Sequence, residues 1–475
     1  MKRSVLYDVL YGFVPITEWE QEIINSPFFQ RLRWIKQLSF ANYIFPGAEH
    51  NRFGHTIGVM HSMDQMLHAL GLAVSDQDLF EPDAKSPEAM LHKSLRISAL
   101  LHDIGTFPFS HAIEYAYIRH GNDPRRPTDH HKHLPNSHEH LGSFIIKNTN
   151  YPGGVTDILN KYGFDPQAIS NIIKGNSPSA IANQLMHSDL DADRMDYLLR
   201  DSHYTGIQYG QFDRDYILAN LETFQLPDGQ MGFGVRENAL RAVEDFLIAR
   251  FNWYSQVIKN PGSAKFDVLS SHIAESFLEM DLIHQFQDIL SMIESGDERF
   301  FWWNDVYFIS RCQEVRQNKL VQDPVLNQWI EMLLFRRAPK TVHHPEFAHR
   351  ILEYTGNEHD REKRIQRIQA IVDVFEECIE KDGAGTEWIL ADIPDKDVSF
   401  TASLAKLQKD RASLEGPLYL ERDPVKIVTK KGEPKLLIEM DNSIVKRLST
   451  MVNFVPSVYA NSSAMDLFRK KKLLD

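Results

Sequence analysis

The feature that most constrains this chain is an apolar helical run that ends in an adjacent histidine and aspartate. The run begins near Leu95, delivers His102 and Asp103, and is broken by Gly105 and Pro108. An imidazole beside a carboxylate forms a compact nitrogen and oxygen donor set for a divalent metal ion. Because neighbouring residues on a helix do not face each other, further ligands must come from elsewhere. The alternative is a structural pair, in which a buried histidine bonds to the carboxylate beside it.

Candidate ligands for the same ion lie on both sides of this pair. His55 stands at the start of a helix predicted over 56–72, next to Arg52. A second predicted helix, over 181–200, carries polar groups on one face because they recur three or four residues apart. They are Asp193, Tyr197, Arg200 and Asp201. The alternatives are a capping or core role for His55 and a solvated, salt-bridged face for the second helix.

Histidines are dense between 120 and 140, where glycine and proline predict a loop. They are His120, His130, His131, His133, His138 and His140. Such a loop is either an adventitious metal binder or a flexible lid over a site. Ser137 is placed to cap the following helix, which puts His138 in its positive first turn. Glu114 lies one helical turn after His111 and is a nearby carboxylate.

Apolar periodicity and turn residues predict a mainly α fold with few strands. Thr17 and Glu20 form a capping-box pattern at the start of a helix. Another amphipathic helix is predicted over 265–294. Residues 226–231 contain the Asp-Gly signal of a hairpin turn, and the alternation within 416–440 predicts a small antiparallel hairpin or sheet.

Length and composition are typical of a globular protein. The chain has 475 residues, of which 43% are hydrophobic and 25% charged, and its net charge is −13. This charge argues against nucleic acid as the main partner, although a local basic pocket for phosphates is compatible with it. Cys312 and Cys378 lack metal-binding spacing, which suits a reducing compartment. With neither a signal-peptide core nor a run of roughly 18 apolar residues, we expect a cytoplasmic protein without a membrane partner.

Several stretches, taken in order, resemble one known family. They are Phe29-Gln30-Arg31-Leu32-Arg33, Ile35-Lys36-Gln37-Leu38, Phe45-Pro46-Gly47-Ala48, His50-Asn51-Arg52-Phe53, the His102-Asp103 segment through His111, and Asp193-Arg194-Met195-Asp196-Tyr197 with Arg200-Asp201. From Met1 to about Ile258 the chain is similar to the HD-domain deoxynucleoside triphosphate triphosphohydrolases (dNTPases), particularly the branch of the human SAM/HD restriction factor and its bacterial relatives. The resemblance implies an HD-domain helical fold. It also implies a phosphohydrolase core over 1–300 and an oligomerisation or regulatory helical and small β region over 301–475.

The resemblance implies the metal-binding pattern H…HD…D. His55, His102, Asp103 and Asp193 would together bind one divalent ion per subunit. The reaction implied is hydrolysis of a deoxynucleoside triphosphate (dNTP) to a deoxynucleoside and inorganic triphosphate, with the ion acting at the α-phosphate. Two imidazoles and two carboxylates accept Mn, Fe, Mg, Zn or Co, so the identity of the ion stays open.

The same resemblance assigns roles to residues around the substrate. His138, with Glu114 nearby, would transfer a proton to the leaving 5′-oxygen. Groups that ring the α-phosphate would be Arg52, Arg194, His111 and Tyr197, and Arg250 would hold the distal phosphate. Gln37 and Asp201 would bond to the sugar 3′-hydroxyl, while Leu38 would crowd the 2′ carbon and so reject ribonucleotides.

Two positions depart from the family pattern, and three others indicate regulation by a nucleotide. Thr106 replaces the second histidine of the HDxGH pattern, and Ile258 stands where relatives stack a tyrosine on the base. Asn25, Gln30 and Arg33 match positions that contact an activating nucleotide in relatives. We therefore expect an allosteric nucleotide at a subunit interface of a homo-oligomer, a tetramer or a dimer.

Three functions stay open at this point. The first is a metal-dependent dNTP triphosphohydrolase that controls the dNTP pool or defends against phage. The second is another HD hydrolase, such as a phosphodiesterase or phosphatase for a different nucleotide. The departures at Thr106 and Ile258 leave this function open. The third is a nucleotide-sensing or nucleic-acid-binding module with vestigial catalysis.

Overall fold

The structure is a computed structural model and describes residues 4–121, 136–348, 350–353, 358–393, 398–400 and 423–474. Within these residues the protein is mainly helical with small β-sheets, which confirms the predicted fold class. The predicted loop histidines His130, His131 and His133 lie outside the described residues. Among the described residues, none of the helices is both long enough and apolar enough to cross a membrane.

Helices form most of the regular structure in both halves of the chain. Those of the first half are α1 (Glu18–Asn25), α2 (Pro27–Gln30), α3 (Arg52–Ala69), α4 (Asp76–Phe80), α5 (Pro87–Leu101), α6 (His111–Gly121), α7 (His138–Asn148), α8 (Val155–Lys161), α9 (Pro166–Ile173), α10 (Ala180–His187), α11 (Ala192–Thr205) and α12 (Arg214–Leu218). The second half contains α13 (Leu240–Trp253) with a π turn (Tyr254–Ile258), α14 (Ala264–Glu279), α15 (Phe286–Ser295), α16 (Arg299–Trp302), α17 (Asp305–Gln317), α18 (Pro324–Leu334), α19 (Glu358–Asp382), α20 (Ile444–Leu448) and α21 (Ser462–Lys470).

Within the described part of the chain, the strands form four small sheets. They are β1 (Ser4–Asp8), β2 (Gly12–Ile16), β3 (Leu221–Gln225), β4 (Met231–Arg236), β5 (Lys340–Thr341), β6 (Arg350–Glu353), β7 (Ile389–Asp392), β8 (Val398–Ser399), β9 (Lys426–Val428), β10 (Pro434–Leu436), β11 (Met451–Phe454) and β12 (Ser457–Ala460). Their orders are β1-β2, β10-β9-β4-β3, β6-β11-β8 and β5-β12-β7. Both predicted hairpins are confirmed, β3 with β4 and β9 with β10, and β9 adds to β4 in parallel.

Three helices meet where the predicted ligands lie. Helix α3 packs against α5 and α11 through buried apolar residues such as Val59, Ile97 and Leu198. Helix α11 approaches α3 closely at Gly58, where a Cβ would lie 1.9 Å from Asp196 Oδ1. The absence of a side chain at Gly58 therefore lets the first turns of the two helices come together.

Two helices that were predicted to be continuous are each divided into two helices in the structure, so these predictions are wrong. The helix over 181–200 is divided into α10 and α11, because the chain is extended at Ser188 and Asp191. The amide of Asp189 donates instead to the carbonyl of Asp423 at 2.7 Å, a partner remote in sequence. The helix over 265–294 is likewise divided into α14 and α15. Asp281, with φ of 55°, lies between them.

Apolar residues after position 300 share a core with residues before it. Trp303, for example, packs edge-on against Phe107 with ring centroids 5.0 Å apart. A second, smaller core includes Val342, Phe375, Val458 and Phe468. The division between 1–300 and 301–475 stays a prediction.

Candidate metal centre

The four predicted ligands come together at the helix ends. His55 lies in the first turn of α3, Asp193 lies in the first turn of α11, and His102 and Asp103 follow the end of α5. His55 Nε2 is 3.0 Å from Asp193 Oδ1 and 3.8 Å from Asp103 Oδ2. His102 Nε2 is 3.5 Å from Asp103 Oδ2 and 3.7 Å from Asp193 Oδ1. The Nε2 atom of each imidazole thus lies within 3.8 Å of an oxygen of both carboxylates.

The Nδ1 atom of each imidazole is hydrogen-bonded to an oxygen outside the four candidate ligands. His55 Nδ1 lies 2.8 Å from Asp196 Oδ2, and His102 Nδ1 lies 2.8 Å from the carbonyl oxygen of Ala99. Because these oxygens can only accept, each Nδ1 carries the hydrogen. Nε2 is therefore the ring nitrogen of each histidine that would bind a cation, the usual arrangement of metal-ligating histidines.

These residues fit a divalent ion. Ligand atoms at about 2.1 Å from one ion, in tetrahedral or octahedral geometry, lie roughly 3.0–3.4 Å from their nearest neighbours. The observed separations of 3.0–3.8 Å approach this spacing without a change of fold. Burial alone would raise the pKa of Asp103, but the Arg52 guanidinium and the imidazoles hold it well below its usual range. The carboxylate is therefore ionised at neutral pH, as a ligand requires.

Arg52 lies directly beside this cluster. Its side chain is buried, and Nη1 donates to Asp103 Oδ2 at 2.6 Å while Nε donates to Ser110 Oγ at 3.1 Å. The guanidinium thus supplies a fixed positive charge next to the carboxylate. An anion bound at the centre would meet this charge without movement of the backbone.

A second titratable cluster joins the starts of α6 and α7. Glu114 Oε2 accepts from His111 Nδ1 at 2.7 Å, and Oε1 accepts from His138 Nδ1 at 2.6 Å and from the His138 amide at 2.7 Å. Burial acts to lower the pKa of His138, yet the charge of Glu114 and its hydrogen bond raise it to about 9. Burial would raise the pKa of Glu114, but the two imidazoles lower it. His138 is therefore a cation at neutral pH with a proton to give. His55, His102 and Asp103 form one group with the composition of a potential cation site, and His111, Glu114 and His138 form a second.

Two predicted sugar-binding residues carry oxygens without partners. Gln37 Oε1 and Asp201 Oδ2 are buried and have no hydrogen-bond partner among the described residues. The other oxygen of Asp201 lies 2.8 Å from His50 Nε2, and the His50 ring stacks on Tyr204 at 4.5 Å. Leu38 is buried next to Gln37. Buried acceptors of this kind need a donor, and a ligand hydroxyl can supply it.

The predicted phosphate-binding residues are held by protein groups. Arg194 pairs with Asp191 in the same first turn of α11. Arg250 donates to Asp189 Oδ1 at 2.8 Å and to the carbonyl of Phe400 at 2.7 Å. A bound phosphate would have to compete with these acceptors or add to them.

Tyr197 and the predicted regulatory residues lie in other surroundings. The Tyr197 ring packs 4.6 Å from Trp253. Arg33 donates to Gln30 at 2.8 Å and lies over the ring of Phe53 at 3.5 Å. Asn25 ends α1 and is exposed. The structure therefore brings Gln30 and Arg33 together at the surface, away from the contacts of the metal ligands.

A scan against protein-family models matches residues 52–201 to the HD domain. The match begins at Arg52 and ends at Asp201, so it contains all four candidate ligands. The matched segment is less than half of the chain, and over these residues the chain is similar to the HD domain. The resemblance stated from the sequence is confirmed at this level.

The relatives that this chain resembles are distant, and the similarity covers only part of each. It is 31% identical over 285 residues to an uncharacterized protein of Methanocaldococcus jannaschii, covering 60% of this chain and 50% of that protein. It is 26% identical over 320 residues to the human deoxynucleoside triphosphate triphosphohydrolase SAMHD1, covering 62% of this chain and 47% of that protein. The chain spans about half the length of these two relatives. A solved phosphohydrolase of Bacteroides thetaiotaomicron has the same fold, with a TM-score of 0.64, 21% identity and coverage of 96% of this chain and 100% of that one.

Sequence reasoning missed the residues that support the HD-domain ligands. Asp196 holds His55, and it accepts in turn from the hydroxyl of Tyr11 at 2.8 Å. The spacing of Asp196, three residues after Asp193 on one helix, is a signal that could have found it. Tyr11 has no such signal, because its contact joins segments that are 185 residues apart.

Proposed function

We propose that this HD-domain protein is a metal-dependent triphosphohydrolase that converts a dNTP into a deoxynucleoside and inorganic triphosphate. The observation that carries the proposal is the convergence of His55, His102, Asp103 and Asp193 beside the buried cation Arg52. The name of the human relative supports the choice of substrate.

One divalent ion per subunit would be held by the two Nε2 atoms and the two carboxylates. Such an ion supplies Lewis-acid polarisation of a phosphoryl group and lowers the pKa of water. The residues behind the ligands, Asp196 and the carbonyl of Ala99, fix the imidazole orientation and so pre-organise the site.

The residues around the centre stabilise the negative charge that develops in the reaction and supply a proton to the leaving group. Arg52 stabilises negative charge that accumulates at the α-phosphorus, because it already lies beside Asp103 and is shielded from water. His138 donates its proton to the leaving 5′-oxygen, and Glu114 holds its imidazole in the cationic form. His111, Arg194 and Tyr197 add donors to the α-phosphate, and Arg250 binds the distal phosphate.

Selection of a deoxyribose follows from the buried residues near His50. Asp201 Oδ2 accepts the single hydrogen of the 3′-hydroxyl, which gives this buried oxygen the donor that it lacks among the described residues, and Gln37 bonds to the same hydroxyl through its side-chain amide. Leu38 occupies the space beside the 2′ carbon, where a ribose hydroxyl would be left without a polar partner.

Regulation and assembly belong to the same proposal. Asn25, Gln30 and Arg33 form a polar surface set that binds an activating nucleotide at a contact between subunits of a homo-oligomer. The cation–π contact of Arg33 with Phe53 links this set to α3, the helix that carries His55. The region 301–475 would serve oligomerisation or regulation.

The test is product analysis with a panel of substrates. Purified protein is incubated with dNTPs, NTPs and cyclic nucleotides in Mn²⁺ or Mg²⁺, with and without added nucleotide activators, and products are separated by ion-exchange chromatography. Deoxynucleoside and triphosphate in equal amounts support the proposal. Release of orthophosphate or opening of a cyclic nucleotide indicates another HD hydrolase, and unchanged dNTP under every activator indicates a sensor.

Variants identify the site that performs the reaction. His102→Ala and Asp193→Ala should abolish turnover, because each removes a ligand of the ion. His68→Ala is the matched control, since His68 lies at the other end of α3 and half of its side chain is exposed. Near-normal turnover in either ligand variant would contradict the proposed set.

A further inference from the structure

The turn between Asp103 and His111 has an unusual backbone. Phe109 and Ser110 are consecutive non-glycine residues in the left-handed region, with φ of 49° and 53°. Both side chains are buried. Residues with side chains rarely adopt this conformation, and they keep it only where the surrounding structure fixes it. Specific contacts must therefore hold this turn.

Asp305, the first residue of α17, makes the central contact. Its Oδ1 accepts from the amide of Phe109 at 2.6 Å, and its Oδ2 accepts from the amide of Lys36 at 2.9 Å. Asp305 lies outside the segment 52–201 that matches the HD domain. One carboxylate from the second half of the chain thus joins two separate backbone segments.

Those segments carry residues assigned to the reaction. The segment of Lys36 continues into Gln37 and Leu38, and the segment of Phe109 continues into His111. Both of the amides that Asp305 binds therefore lie within two residues of groups that would touch the substrate.

Further hydrogen bonds close the same unit. Ser39 Oγ donates to the carbonyl of Phe109 at 2.7 Å, and Ser110 Oγ donates to the carbonyl of Lys36 at 2.8 Å. Ser110 Oγ also accepts from Arg52 Nε at 3.1 Å. The turn therefore sets the position of Arg52 as well.

A buried arginine holds the beginning of the turn from the other side. Arg31 donates to the carbonyls of Ile104 at 3.2 Å, Thr106 at 2.7 Å and Trp303 at 2.9 Å. Trp303 and Asp305 are two residues apart. The short segment that precedes and starts α17 is thus bonded to the end of the turn directly, through Asp305, and to its beginning through Arg31.

We propose that Asp305 is a positioning residue of the hydrolysis: its two carboxylate oxygens fix the backbone that presents Gln37, Leu38, Arg52 and His111 to the substrate. The expected effect of Asp305 on kcat rests on the proposed function, whereas its expected effect on the backbone at Lys36 and Phe109 does not. Burial raises the pKa of Asp305 to about 7, against the two amide hydrogen bonds that lower it. A buried carboxyl group is unfavourable unless it is hydrogen-bonded, and both oxygens of Asp305 are used by amides.

The experiment compares Asp305→Asn and Asp305→Ala with the unmodified chain. Asparagine keeps one acceptor oxygen of similar geometry, whereas alanine keeps neither. Asp323→Asn is the matched control, because Asp323 accepts from the Val325 amide at 2.8 Å at the start of the next helix, α18. Bound metal, melting temperature, kcat and KM are measured for each variant. Amide hydrogen exchange is followed at Lys36 and Phe109.

We expect kcat to fall about tenfold in Asp305→Asn and about a hundredfold in Asp305→Ala, the scale associated with small misplacements of catalytic groups. Metal content should stay at the unmodified value and KM should change less than threefold. Amide exchange at Lys36 and Phe109 should accelerate in the same order. A merely structural role would lower the melting temperature without this graded loss of kcat in the folded, metal-loaded variants.

Failure of this inference is distinguishable from failure of the proposed function. If the unmodified protein hydrolyses dNTPs and both Asp305 variants keep kcat within twofold, the positioning role is overturned. If the unmodified protein does not hydrolyse dNTPs, the proposed function fails. The role of Asp305 is then decided by amide exchange and by metal-dependent hydrolysis of bis(p-nitrophenyl) phosphate. Faster exchange with slower hydrolysis supports it, and values equal to those of Asp323→Asn overturn it.

Discussion

Replacement of Glu114 by glutamine tests the proposed proton donor through its pH dependence. The change keeps the shape of the side chain but removes the charge that faces both His111 and His138. In the unmodified protein the pKa of His138 is raised from 6.5 to about 9. This difference corresponds to a preference of about 3 kcal/mol for the cation. Asp103 and Glu139 also raise the pKa of His138, but their effects are smaller than that of Glu114.

The direction of the pH dependence follows from the form of His138 that the reaction needs, which is the cation. A histidine with a raised pKa keeps its proton below pH 9 and loses it above, so turnover should be sustained into the alkaline range. Without the Glu114 charge the pKa of His138 falls toward its ordinary value of 6.5, because burial remains and only the smaller effects of Glu139 and Asp103 oppose it. At pH 7.5 a donor of pKa 6.5 is about one tenth protonated, so a loss of about tenfold is expected there.

The assay is a pH series of kcat from 5.5 to 9.5 at saturating metal and substrate. The alkaline limb of Glu114→Gln should move to lower pH by two or more units, whereas Glu139→Gln, the control on the same helix as His138, should move it less. The same pKa shift stabilises the folded state fully below pH 6.5, and this stabilisation is lost as the pH rises through 9. Parallel pH profiles for the unmodified protein and Glu114→Gln would refute the assignment of His138.

Three further variants test the site and its support. Asp196→Asn should weaken metal binding about 10- to 100-fold in calorimetric titrations, because the acceptor that orients His55 loses its negative charge, and unchanged affinity would contradict this. Gly58→Ala should destabilise the fold by about 1–3 kcal/mol in urea unfolding, because its Cβ would lie 1.9 Å from Asp196 Oδ1. Gly142→Ala, whose Cβ would meet no atom closer than 3.5 Å, should be neutral or stabilising, and equal effects of the two would refute the steric reason. Leu38→Ala should admit ribonucleotides, seen as a smaller ratio of dNTP to NTP turnover, and an unchanged ratio would exclude Leu38 as the determinant.

Local patterns made His102, Asp103 and His55 candidate ligands, because the first two end an apolar run and His55 stands at the start of a predicted helix. The full set with Asp193 came from the resemblance to the HD-domain family, because the sequence placed Asp193 within a continuous helix and the structure places it in the first turn of α11. Helix termini are where polar side chains can leave a packed core and still meet. Asp196 could also have been found, since it lies one turn from Asp193.

The remaining features depend on contacts between distant segments, which local patterns do not encode. The break between α10 and α11 follows from the bond of the Asp189 amide to Asp423. The position of Asp305 is similar, because its partners Lys36 and Phe109 are 269 and 196 residues away in sequence. No periodicity around Asp305 distinguishes it from an ordinary first residue of a helix.

The most direct test of the central claim is anomalous diffraction from a crystal of the protein grown or soaked with Mn²⁺. One strong peak per chain is expected about 2.0–2.3 Å from His55 Nε2, His102 Nε2, Asp103 and Asp193. A peak between His111, Glu114 and His138 instead, or no peak at the four ligands, would contradict the claim that these four side chains form the metal centre.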